Sequence, residues 1–304
     1  MLSSELPAKK PMNPADRRST FAGALAVFTA GGLFWAFLPL FIGLQSEALQ
    51  ISSTGAGALG STYLAGFSLM SISALLWVPR ANWRYTLVAA GLTVIAGFCT
   101  VYAAQNYITV LLACLVIGIG MGAKWAISYR LFGAASNPDR AFGLSIAISY
   151  SLLAAIVFVL GRFIVGRYGL DGAVLFIVSA VAVLTLGAYW VPANLSGGGR
   201  PSGAAISYKP PLAVALALAG ILLGGLGIAA IWAFVERIGA AAGFSAEQIG
   251  PVLSGNLLAI GAGSLLASAI NTTNRPLWST EASVAICSGM TNPVPSPNAV
   301  MASA

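Results

Sequence analysis

The chain between Phe21 and Ile270 is a train of long apolar runs separated by short polar breaks, and no other feature constrains the fold as strongly. The runs are Phe21–Leu44, Ala56–Val78, Tyr85–Ala104, Tyr107–Ser128, Ala141–Ile164, Asp171–Val191, Leu212–Val235 and Ile249–Ile270. Each is about 20–24 residues long, and a helix rising about 1.5 Å per residue needs about that length to cross a hydrocarbon core about 30 Å thick. A backbone in lipid must satisfy its own hydrogen bonds, so each run is expected to be a helix. The period-two alternation of a membrane β-barrel is absent. The expected fold class is therefore all-α: a polytopic membrane protein with about eight transmembrane helices.

Composition closes off the soluble alternative. Of 304 residues, 58% are hydrophobic and only 8% charged, where a soluble domain carries about 25% charged residues. The net charge of +7 is read as a matter of topology, with no nucleic-acid partner. With the N-terminus in the cytoplasm, Lys9, Lys10, Arg17, Arg18, Arg80, Arg84, Arg130, Arg140, Arg200, Lys209 and Arg275 fall on the inner side. Arg162, Arg167 and Arg237 fall outside, and Lys124 lies within a span. That bias is the positive-inside pattern. An even number of spans puts the C-terminus in the cytoplasm as well. The expected location is a bacterial inner (plasma) membrane.

Composition also divides the chain. Residues 1–20 form a polar cytoplasmic tail with three prolines, and 21–191 carry six spans. Residues 192–211, rich in Gly, Ser and Pro, read as a cytoplasmic linker. Residues 212–270 carry two more spans, and the Ser-, Thr-, Asn- and Pro-rich segment 271–304 is expected to be a disordered tail. There is no histidine, and Cys99, Cys114 and Cys287 show no metal-ligand or disulfide spacing, so no metal or other cofactor is expected.

A weak internal repeat links the two groups of spans. At an offset of 193 residues, Ile51-Ser52 falls on Phe244-Ser245, Gly57 on Gly250, Ser61 on Ser254, Leu64 on Leu257 and Ser71 on Ser264. The offset covers an even number of spans, so the two copies point the same way, as in parallel repeats.

With six spans, a polar linker and a repeat of parallel sense, the chain resembles the major facilitator superfamily of secondary transporters. The basic positions Arg80 and Arg84 in the loop after the second span, and Asp139-Arg140-Ala141-Phe142-Gly143 after the fourth, are similar to loop motifs of that family. The resemblance implies one six-helix half joined to the first two helices of a second half. It implies transport of a small organic solute by alternating access, with a coupling ion such as a proton; an enzyme is not expected, because the chain has no histidine and its spans hold no paired carboxylates. Members of the family usually have twelve spans. A truncated chain that does not transport and keeps only a structural role is the alternative expectation.

Few residues are suited to a site within the bilayer. Lys124 is roughly 10 Å from the middle of its span. It is either a cavity cation for an anionic substrate group or a side chain snorkelling to the inner interface. Glu236 either takes up a proton for coupling or pairs locally at the outer interface. Asn256 meets substrate or a neighbouring helix. Trp35, Tyr63, Tyr150 and Trp232 line a substrate cavity or serve as packing groups. Arg80, Arg84, Asp139 and Arg140 are read as topology determinants and inner-gate partners. Gly118 and Gly122 form a G-x-x-x-G helix-contact pattern.

Overall fold

A computed structural model describes residues 13–195 and 212–273. The first twelve residues, most of the linker and the segment from 274 onward lie outside the described residues, and with them Lys9, Lys10, Arg200, Lys209, Arg275 and Cys287. All secondary structure in the described residues is helical. Among the described residues eight α-helices follow one another: α1 (Arg18–Leu49), α2 (Ser53–Trp77), α3 (Trp83–Ala103), α4 (Tyr107–Gly133), α5 (Pro138–Val159), α6 (Gly166–Thr185), α7 (Leu212–Ala241) and α8 (Ala246–Thr273). Each apolar run read from the sequence falls on one of them. Six helical stretches are long and apolar enough to cross a membrane, which makes this an integral membrane protein. One of those stretches, Pro138–Trp190, holds both α5 and α6.

The breaks between helices are built from short polar caps. Ser52, Asn82, Asn106 and Asn137 each stand at an N-cap and accept from the backbone N–H three residues on, at Gly55, Tyr85, Thr109 and Arg140. Such caps satisfy amides that the first turn leaves without partners. At α5 the cap is Asn137, while Asp139 sits in the first turn, where a negative charge suits the helix dipole. The α5–α6 connection is different. A π-helical turn, Leu160–Val165, ends α5, and Gly169 adopts φ 56°, ψ −145°, a conformation open in practice only to glycine. The chain turns there without leaving helical geometry for long, which is why the stretch is so long.

The helix α1 is the axis of the bundle. Its apolar window is 83% buried, against 22% for α2. It is apolar on every side, as an interior helix should be, and it packs on α2, α4, α5, α6 and α7. Phe34 sets its edge against Tyr63 of α2 at 4.7 Å and Phe98 of α3 at 5.4 Å. Pro39 is accommodated inside it. Close approach of α2 and α4 rests on Gly66, Gly118 and Gly122, where an added methyl would run into the partner's backbone at Leu115, Tyr63 and Phe67. Lipid offers helices no hydrophobic drive to associate, so such backbone proximity is the main source of attraction. The outer surface is an apolar belt that includes Ile72, Leu75, Leu92, Leu175 and Val183.

The two helices after the linker dock in unlike ways. The helix α8 lies along α5, and Gly161 meets Gly250 backbone to backbone, with a methyl at Gly161 reaching within 2.8 Å of the Gly250 Cα. Farther down, Ser264 Oγ donates to Gly143 O at 3.1 Å. At the opposite end Arg162 Nη1 and Glu247 Oε2 pair at 2.8 Å. The helix α7 touches α1 through its last three turns, while Gly220, Gly224 and Gly227 have open space around them. The serines paired by the repeat, Ser52 and Ser245, both stand just before a helix. Ser52 caps through its side chain, and Ser245 donates its N–H to Gln248 Oε1 at 2.9 Å. Their glycines have diverged: Gly57 faces Phe234, and Gly250 faces Gly161.

A strap holds the end of the bundle where α1 begins. Asn13 Nδ2 donates to Ala134 O at 2.8 Å, and the Asp16 carboxylate accepts from the N–H and hydroxyl of Ser136. Arg80 donates to Leu76 O at 2.6 Å, and Arg84 donates to Val191 O at 3.2 Å while lying over the Tyr189 ring. The carbonyls at helix ends thus engage two of the basic residues read as topology determinants.

Candidate functional site

A pocket of about 250 Å³ lies between α1, α2, α4 and α5, lined by Trp35, Tyr63, Leu64, Phe67, Trp125 and Tyr150. Three of the aromatic residues singled out in the sequence meet there, two from the consecutive helices α1 and α2 and one from α5. Trp35, Tyr63 and Tyr150 lie within about two residues, or ~3 Å, of the midpoints of their helices. The pocket is thus at mid-height. Trp232 of α7, the fourth of those aromatic residues, is not among the lining residues but packs on one of them: its ring stacks on Trp35 at 6.2 Å and its Nε1 donates to Trp35 O at 2.8 Å. Tyr63, Phe67 and Trp125 continue the wall through ring contacts of 6.2 and 5.3 Å.

Sequence reading missed Trp125 and Phe67. Phe67 falls one turn after Tyr63 on the same face of α2, a spacing that would have revealed it. Trp125 was hidden by its neighbour Lys124. Its indole rests on the flat strip of α1 made by Gly31 and Gly32, where a methyl at Gly31 would overlap the ring. Its Nε1 is buried and has no hydrogen-bond partner.

Lys124 is fully buried and does not line this pocket. Its Nζ donates to Thr185 Oγ1 of α6 at 2.7 Å, and Thr185 in turn donates to Val181 O at 2.6 Å. Ser128, one turn along, has its Oγ within reach of the Ala24 and Lys124 carbonyls, at 3.3 and 2.9 Å. Lys124 thus links α4 to α6 through Thr185. A second buried brace, absent from the sequence reading, joins Thr29 of α1 to Ser149 of α5 at 2.8 Å. Two hydroxyls in apolar runs give no sequence signal of their pairing.

Glu236 sits on the α7 face toward α1, 7% exposed, with its carboxylate against Gly43. Its Oε2 has no hydrogen-bond partner. It lines a separate, polar pocket of about 400 Å³ with Ser46, Glu47, Gln50 and Arg237. Asn256 is exposed on α8 and reaches neither pocket. Arg140 and Asp139 are exposed at the start of α5. Among the described residues there is no group of three or more His, Cys, Asp or Glu suited to a metal. A groove of about 540 Å³ between α3 and α6 includes Tyr102 and Leu175, which are 62% and 68% exposed, so it belongs to the outer belt and not to the interior.

In chemical terms the mid-height pocket offers π faces, two phenol hydroxyls and no carboxylate. It suits an apolar or aromatic solute held by shape and by a few hydrogen bonds. Compared with family models, curated proteins and solved structures, the chain gives no match.

Proposed function

We propose that the protein carries a small organic solute across a membrane by alternating exposure of a central site, in the manner of the major facilitator superfamily. The observation that carries this reading is the aromatic pocket at mid-height, assembled where the helix pair α1–α2 meets the pair α4–α5. A binding site halfway across the bilayer, between helices that rock against one another, is what a carrier needs. In this reading all eight helices cross the membrane, because Gly169 divides the 53-residue stretch into two crossings. Both termini and the linker then lie in the cytoplasm, with the basic loops Arg80–Arg84 and Arg130–Arg140 on the same side. The membrane is a bacterial inner membrane, and a proton is the proposed coupling ion. Lys124 serves as a structural brace, and the substrate residues are Trp35, Tyr63, Trp125 and Tyr150, with Trp232 packed against Trp35.

The test is uptake into proteoliposomes against a panel of small organic solutes, with the Trp35→Ala and Tyr150→Ala variants as controls. At least one solute is expected to enter faster than into protein-free vesicles, and both variants are expected to slow it about tenfold. Uptake that is insensitive to both substitutions would remove the pocket from the mechanism.

A further inference from the structure

The polar pocket between α1 and α7 has no role in the account so far. Its floor is Gly43, which has no side chain to hold Glu236 away; a methyl there would overlap the carboxylate. A carboxylate that is 7% exposed with an oxygen that no protein donor reaches is costly to keep. Glu47, one helical turn beyond Gly43 on α1, lines the same pocket. The charged side chains facing it are thus Glu47 from α1 and Glu236 and Arg237 from α7, a net charge of −1. The end of α1 adds to this field. The helix stops at Leu49, Gln50 takes φ 51°, and the last carbonyls present the negative pole of the helix dipole. Gln50 Nε2 satisfies one of them, at Glu47 O.

The site therefore calls for a positive ligand, and its size says which kind. About 400 Å³ is far more than a bare inorganic ion fills, and the remaining wall contains Ile51, Ala240 and Ala241. Position says the rest. Glu236 is one turn from Trp232 on α7, and Gly43 is two turns from Trp35 on α1, so the acidic pocket and the stacked tryptophans share one seam. Beyond the tryptophans lies the aromatic pocket, whose π faces attract cations as well as apolar groups.

We propose that the α1–α7 pocket is the mouth-side binding station for the transported solute, and that this solute is a small organic cation bearing an apolar group. The ammonium rests between Glu236 and Glu47, and the apolar part points along the seam toward Trp232 and Trp35. The inference rests on the carrier reading above, and it names that carrier's substrate class.

The experiment is equilibrium binding, which does not depend on transport. Full-length protein in lipid nanodiscs is titrated by calorimetry with phenyltrimethylammonium and with benzenesulfonate, similar in size and opposite in charge. The cation is expected to bind at least tenfold more tightly than the anion. Glu236→Gln should weaken the cation about tenfold and Glu47→Gln about threefold. Arg237→Gln should tighten it about threefold, a gain that a misfolded chain does not produce. Equal binding of cation and anion, or cation binding unchanged in both Glu variants, overturns the proposal. Selective cation binding without uptake of any solute into vesicles leaves the station in place and removes the carrier reading. Uptake of a neutral or anionic solute without cation binding does the reverse.

Discussion

Two seams join the last two helices to the first six, and they are built on opposite principles. The α5–α8 seam is close-packed along its length. Gly161 against Gly250, the Ser264–Gly143 bond and the Arg162–Glu247 pair hold it at three levels. The α1–α7 seam is short and holds a cavity. Its firm contact is Trp232 on Trp35, and one turn from that contact it keeps a carboxylate with an unpartnered oxygen. In a membrane, where backbone proximity and interhelical hydrogen bonds supply most of the attraction, the first seam is an anchor. In the carrier reading proposed above, the second is a joint that holds a ligand or lets one pass. Unsatisfied groups are expected where function overrides stability.

That contrast can be broken by substitution. The largest effect is expected from Gly161→Leu, because the side chain has no space between two touching backbones. A loss of about 3 kcal/mol, at the upper end for overpacking, should appear as a marked fall in the unfolding temperature in detergent. A wild-type unfolding temperature would mean that α5 and α8 are not in contact. Trp232→Ala comes next. It removes a ring stack and one interhelical hydrogen bond, for about 1–2 kcal/mol. Its sharper readout is local: proteolysis should speed up at the α7–α8 turn, around Gly243, while the α1–α6 region stays protected.

Glu236→Gln reverses the sign. Without ligand, it relieves a buried unpartnered carboxylate and should raise stability by about 1 kcal/mol, although it weakens cation binding. A fall in stability would show that the carboxylate has a protein partner after all. The smallest effect belongs to Arg162→Gln. Both members of that pair are half exposed, and such pairs are worth no more than about 0.5 kcal/mol. The α5–α8 seam should survive its loss, which assigns the anchor to the glycines.

Much of the helical layout was legible because hydropathy and length act locally. Each apolar run from Phe21–Leu44 to Ile249–Ile270 matches one helix, shifted by a few residues where Asn or Ser caps set the true start. The glycine pair Gly118 and Gly122 also announced itself and is found against α2. The α5–α6 connection was less legible. A run of apolar residues hides a π turn, and only Gly169 marks the bend.

Site residues were legible by type and not by direction. Trp35, Tyr63 and Tyr150 converge because mid-span aromatics on interior faces have few other places to go. Lys124 shows the limit. Its depth followed from counting residues, but which side of α4 faces a cavity depends on how α3 and α6 pack. The structure turns it to Thr185. Asn256 is similar, a polar residue whose face cannot be assigned from its own helix and which ends exposed. Glu236 was singled out, yet the pocket around it required Gly43 and Glu47, which are nearly two hundred residues away.

The central claim is that α5 and α6 are separate crossings, so that the α7–α8 turn emerges on the face opposite the α4–α5 loop. Labelling single cysteines in intact cells with an impermeant maleimide tests it, in a background where Cys99, Cys114 and Cys287 are replaced. Ser53→Cys and Gly243→Cys should react at once, and Ser136→Cys only after the cells are permeabilised. Reaction of Gly243→Cys from the same side as Ser136→Cys would contradict the account.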